Sequence, residues 1–154
     1  MTVALFAVVG ADLNLGPKDD MPRFASMAAY QQCLGFLEAI TRNQVMVVGS
    51  HTMKIMQHYG YQMSRTAETV VSWSRSYGVS PEEFLAQLEA ENNGRNIYIC
   101  GGEKTFEIFA PFCEAFYIRR AAMVTPPDHR LPPIMPGWTR SIRDATKIEA
   151  ARMQ

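Results

Sequence analysis

Cysteine is scarce in this chain, with three in 154 residues, and Cys33, Cys100 and Cys113 show no C-x-x-C spacing. That pattern suggests neither a disulfide framework nor a zinc site, and reduced thiols point to a cytoplasmic location. Excess charge is lacking too: 15 basic residues balance 15 acidic ones. Without a global field to gather nucleic acid or an anionic membrane, neither is expected as a partner. No apolar run reaches the length of a membrane span. The opening MTVALFAVVGADL has no basic region before its apolar stretch, so it reads as a first strand and not as a signal peptide. Among the few histidines, His58 and His129 have no partners at metal or triad spacing.

What remains is an ordinary globular composition, 47% hydrophobic over 154 residues. A chain of this length makes one domain (1–154) and buries about two thirds of its unfolded surface, enough to hold a pocket. Val3 to Val9, Val45 to Val48, Thr69 to Trp73, Asn96 to Cys100 and Ala115 to Ile118 are short apolar or β-branched runs, the pattern of buried parallel strands. Ala121 to Thr125 is a possible extension of the last, and Trp138 to Ile148 a final edge strand. Between them lie helical patterns. Met27 to Arg42 carries an i, i+4 stripe of Ala28, Gln32, Phe36 and Ile40, with Tyr30, Cys33, Leu34 and Leu37 beside it, weakened at Gly35. Ser80-Pro81-Glu82-Glu83 is a helix start with a Ser cap, and Asn92-Asn93-Gly94 a stop. Alternation of this kind gives an α/β domain with a largely parallel sheet.

Two corners carry chemistry. In Arg95 to Phe109, RNIYICGGEKTFEIF, a strand runs through Gly101 and Gly102 into a helix beginning at Glu103. Such a corner offers bare backbone N–H groups and the positive end of a helix dipole, a seat for phosphate. A tight turn without a ligand is the competing reading. Val45 to Thr52 repeats the arrangement, with Gly49 followed by Ser50, His51 and Thr52. The Ser50 and Thr52 hydroxyls suit either the helix's own N–H groups or a phosphate. The Gly- and Pro-rich segment ADLNLGPKDDMPRF has the length of a binding loop, and VTPPDHRLPPIMPGW is irregular because of its prolines.

In their order and separations, these segments resemble dihydrofolate reductase over nearly the whole chain. The residues concerned are Leu15-Gly16 and Met21-Pro22, Val45 to Thr52, Val70 to Arg75, Ile97 to Phe109 and the A-F-Y-I strand, with a last strand and hairpin that look shortened. The resemblance implies NADPH as cofactor, its phosphates between Gly49, Ser50, His51 and Thr52 on one side and Gly101, Gly102, Glu103, Lys104 and Thr105 on the other, with a cis Gly101–Gly102 bond. It implies Val8, Leu15 and Gly16 near the nicotinamide. Ser72, Ser74 and Arg75 would surround the adenosine phosphate, where Ser50 stands in place of a usual Arg. For the substrate, a pterin or folate, Phe6, Met21, Phe36, Met56 and Phe106 suit an apolar slot, with ordinary core packing as the competing reading; Cys100 is a further substrate-side candidate, and Arg65 lies close to the family's clamp for the folate carboxylate.

Departures gather on the substrate side. The family's buried carboxylate falls on Ala28 or on Gln32, depending on the direction of counting, and neither is acidic. Glutamine can hydrogen-bond a pterin edge but cannot pair with a protonated ring. The family's supporting Thr is Arg119, and the Trp after Met-Pro is Arg23. Asp19 and Asp20 lie in the adjacent loop. Three functions follow. One is NADPH-dependent reduction of dihydrofolate or a related pterin to the tetrahydro form, with weak or atypical catalysis and Gln32 in the acid's place. Another is a non-catalytic dinucleotide- or partner-binding homologue. The third is a pyrimidine reductase of the riboflavin-synthesis type, with Arg119 and Arg23 meeting a substrate phosphate. Oligomerisation, if present, would use the C-terminal edge.

Overall fold

A computed structural model describes residues 2–10, 14–16, 24–58, 65–121, 129–130 and 149–152. Its main sheet is built from β1 (Val3–Val9), β3 (Val45–Gly49), β4 (Thr69–Trp73), β5 (Ile97–Ile99), β6 (Ala115–Arg120) and β8 (Glu149–Arg152). The order across the sheet is β4-β3-β5-β1-β6-β8. The first five strands are parallel, and β8 runs antiparallel to β6. A separate antiparallel pair joins β2 (Asn14–Gly16) to β7 (His129–Arg130). The edge strand expected within Trp138 to Ile148 lies outside the described residues. β8 follows directly after that stretch.

Apolar runs form the central strands because both sheet faces are covered. On one face, Leu5, Ile99, Phe106, Phe109 and Phe116 make the largest core with Leu85 and Leu88 of α3 (Pro81–Glu91). Phe106 and Phe109 come from α4 (Glu103–Phe109). Phe109 is fully buried, with its ring edge-on to Trp73 at 5.1 Å between centroids. Two smaller clusters occupy the opposite face, under α1 (Met27–Ile40) and α2 (Ser50–His58).

Local chemistry sets the helix ends. Ser80 Oγ accepts the Glu83 amide at 3.2 Å, with Pro81 opening α3 as expected. Asn93 and Gly94 adopt positive φ just after its end. Ser26 caps α1 through the Ala29 amide at 3.1 Å. That helix passes unbroken through Gly35.

The α1 stripe is corrected. Cys33, Leu37 and Ile40 face the sheet, whereas Ala28, Gln32 and Phe36 are exposed. The helix is rotated by about one residue relative to the pattern, because Cys33, Leu37 and Ile40, spaced i, i+4, i+7, also make an apolar stripe. Ile40 alone of the expected four packs inward.

Candidate functional site

Connections diverge between β3 and β5. From β3 the chain passes through α2 outward to β4, and from β5 it passes through α4 across β1 to β6. In an open parallel sheet, such a reversal at the carboxyl ends of neighbouring strands leaves a crevice that no crossover fills. Both glycine corners lie there. The Gly49 amide donates to the Gly101 carbonyl at 2.7 Å, and the Cys100 amide to the Val47 carbonyl at 2.9 Å, so the ends of the two strands are tied together.

Side chains are excluded from these corners by close approach. A Cβ on Gly49 would overlap Thr105 Oγ1, and a Cβ on Gly102 would lie 2.8 Å from Thr52 Oγ1. The packing is reciprocal: the third residue of each helix is a threonine set against the glycine that precedes the other helix. Gly101 has φ +142, which L side chains rarely adopt, and the Gly101–Gly102 peptide is cis. Gly102 occupies the N-cap position of α4 and, having no side chain, makes no capping hydrogen bond of its own. Ser50 is the first helical residue of α2 and Thr52 its third, so neither takes the N-cap position. Sequence reasoning found both corners but missed this threonine exchange. The signal for it is the shared G-x-x-T of Gly49 to Thr52 and Gly102 to Thr105.

The adenosine-side candidates come to the same edge. Val48 pairs with Ser72, and Gly49 with Trp73. Ser72 Oγ is 2.9 Å from the Tyr77 hydroxyl, and Ser74 Oγ accepts the Ser76 amide at the start of a 3-10 turn over Arg75–Tyr77. Arg75 is exposed in that turn. Val8 is half-buried at the end of β1, opposite Arg119 of β6. Leu15 and Gly16 lie in β2. Met21, Arg23, Asp19 and Asp20 fall outside the described residues.

The substrate-side candidates separate. Phe6 is buried in β1, while Met56 of α2 and Cys100 pack on the clusters of the α1 face. Burial pushes the Cys100 and Cys113 thiols up, the latter to about 12. Phe106 is corrected: it sits 2% exposed in the core of the other face, with the sheet between it and α1, and has no surface to give to a slot there. Arg65 does not stand free as a carboxylate clamp. Its Nε and Nη2 grip the two Glu38 carboxylate oxygens at 3.1 and 2.9 Å. That hydrogen bond holds the Glu38 carboxyl below its usual range despite its partial burial.

Arg119, which the resemblance aligns with the family's supporting Thr, lies against an aromatic ring of α1. Its guanidinium carbon lies 3.7 Å from the centroid of the Phe36 ring, a cation–π stack. The same group sits beside Cys33. Burial raises that thiol's pKa, and Arg119 opposes the rise. Ala28 and Gln32 are on the exposed side of α1 with Phe36, so a ring laid on this surface meets an amide and a guanidinium.

A groove of about 600 Å3 lined by Thr2, Phe112, Cys113 and Tyr117 opens at the amino ends of β1 and β6, the wrong end of a parallel sheet for a ligand site. Among the described residues no helix is long and apolar enough to cross a membrane, and no group of His, Cys, Asp or Glu could hold a metal ion.

No family model and no curated protein matches the sequence. The fold is nevertheless similar to a solved dihydrofolate reductase from Enterococcus faecalis, complexed with NADP(H) and RAB-propyl. That match has 19% identity and a TM-score of 0.62, and covers 85% of this chain and 77% of the other. The chain therefore has a dihydrofolate reductase-like α/β fold, with a mostly parallel sheet flanked by helices.

Proposed function

We propose that this protein is an NADPH-dependent reductase of a flat, unsaturated heterocycle. The observation that carries the reading is the pair of bare corners at Gly49 and Gly101–Gly102, where a Cβ would collide with Thr105 or Thr52. Both open into one crevice at the carboxyl ends of the strands. A pyrophosphate fits such a place because it needs close backbone approach, N–H donors and a favourable dipole. Its holders would be Gly49 to Thr52, including the first turn of α2, and Gly101 to Thr105. Ser72, Ser74 and Arg75 would meet the adenosine end, and Val8 with β2 the nicotinamide end. Bound there, the dinucleotide supplies a hydride.

This chain's residues do the remaining work. Phe36, Cys100 and Met56 offer apolar surface to a ring, Gln32 offers a neutral hydrogen-bonding edge, and Arg119 fixes a positive charge beside it. Dihydrofolate is the reference substrate, but two observations make it a poor one. Neither Ala28 nor Gln32 can pair with a protonated pterin, and the Arg65 fork is already filled by Glu38. Fluorescence titration with NADPH, followed by the rate of NADPH oxidation with dihydrofolate present, tests the reading. Saturable NADPH binding with slow turnover is expected, and Gln32→Asp should raise that turnover. Absence of NADPH binding contradicts the proposal.

A further inference from the structure

Among the described residues, the surface between α1 and the end of β6 is short of negative charge. β1, β5, β6 and α2 contain no Asp or Glu, and α1 contains only Glu38, which Arg65 has already engaged. Alternation along β6 sets Phe116 and Ile118 on the α3 and α4 face, and Ala115, Tyr117 and Arg119 on the α1 face. Arg119 therefore lies on the α1 side of the sheet, against Phe36. Its guanidinium meets the Phe36 ring and the Cys33 thiol, and neither neutralises it. A half-buried cation left with an aromatic face and a thiol keeps its N–H donors available to an incoming oxyanion.

Phe36 adds shape to this charge. Phe36 is 39% exposed, large for an aromatic residue, and Gln32 lies one turn away on the same exposed side of the helix. Planar stacking surface, a neutral amide and a fixed cation together describe a ligand that is flat and negatively charged. A ring with a cationic amidine edge would meet Arg119 as a like charge.

We propose that the surface formed by Gln32, Phe36 and Arg119 binds a planar ring bearing a carboxylate or phosphate, with Arg119 as the group that recognises the anion. The inference rests on the reductase reading and names its substrate class. The two can fail separately, because ligand charge preference is measured without turnover.

The probes are quinaldate, its neutral amide quinaldamide, and a diaminopteridine, titrated by calorimetry into the protein with and without NADPH. Quinaldate is expected to bind about ten- to a hundredfold more tightly than quinaldamide, the scale of a hydrogen bond to a charged group. The diaminopteridine should be the weakest of the three. Arg119→Gln should erase the preference for the anion with NADPH affinity unchanged. Arg119→Lys, which keeps the charge but not the planar fork, should retain part of it. Equal binding of acid and amide, tighter binding of the diaminopteridine, no quinaldate binding, or a preference surviving in Arg119→Gln would each overturn the proposal. If the anion preference holds while NADPH fails to bind, the reductase reading falls and the anion site stands.

Discussion

The two halves of the candidate site are built on opposite principles. Between β3 and β5 the corner is closed, with backbone packed on threonine hydroxyls and no room for one added methyl group. Between α1 and β6 the surface is open, with Gln32 and Phe36 exposed and Arg119 half-buried, a stacked cation where the resemblance implied a threonine. Backbone cradles depend on glycine and on close approach, so change there is restricted. A wall of side chains can be rewritten one residue at a time. A fold can therefore keep its cofactor seat while its substrate changes.

The largest effect expected from this contrast is one of stability across the sheet. Phe109→Ala removes a fully buried ring from the closed face and should cost about 3–5 kcal/mol. Phe36→Ala, on the open face, should cost no more than about 1 kcal/mol, the scale of an exposed cation–π contact. Chemical denaturation compares them, and equal losses would break the distinction between a closed face and an open one.

Next in size is the glycine corner. Gly49→Ala should weaken NADPH binding by about tenfold or more and lower the melting temperature, because its Cβ meets Thr105 Oγ1. Adding Thr105→Ala removes the colliding atom, so the double variant should regain stability and the two changes should not be additive. Additive losses in thermal melts would show that the contact is not the cause.

The smallest effect concerns Glu38 and Arg65. The folded pKa of Glu38 lies below its unfolded value, so its contribution is fully present above about pH 4.3, the unfolded value, and is lost as pH falls through the folded pKa. Glu38→Gln should lower the melting temperature by a few degrees at neutral pH, with the gap to wild type closing in acid. A gap independent of pH would mean that the pair adds nothing electrostatic. If Glu38→Gln also creates affinity for a free carboxylate ligand, Arg65 is a clamp held shut by its neighbour.

Much of the architecture was legible because its signals are local. Val45 to Val48, Thr69 to Trp73 and the Ser80-Pro81 helix start declare themselves through apolar runs, β-branched residues and capping chemistry, and the corresponding elements are found there. The glycine corners could be read for the same reason. Residues whose role depends on tertiary direction could not. Two apolar stripes compete on α1, and only the sheet beneath decides between Cys33, Leu37 and Ile40 on one side and Ala28, Gln32 and Phe36 on the other. Phe106 carries the same apolar signal whichever sheet face it meets. Arg119 and Arg65 read alike as single cations, and their different fates depend on Phe36 and Glu38, each far away in sequence.

The most direct test of the central claim is to follow backbone amide resonances during addition of NADPH. The account predicts saturable shifts concentrated at Gly49 to Thr52 and Gly101 to Thr105, with Arg75 following and the amino ends of β1 and β6 unmoved. Shifts absent from both glycine corners, or clustered around Thr2 and Phe112, would contradict it.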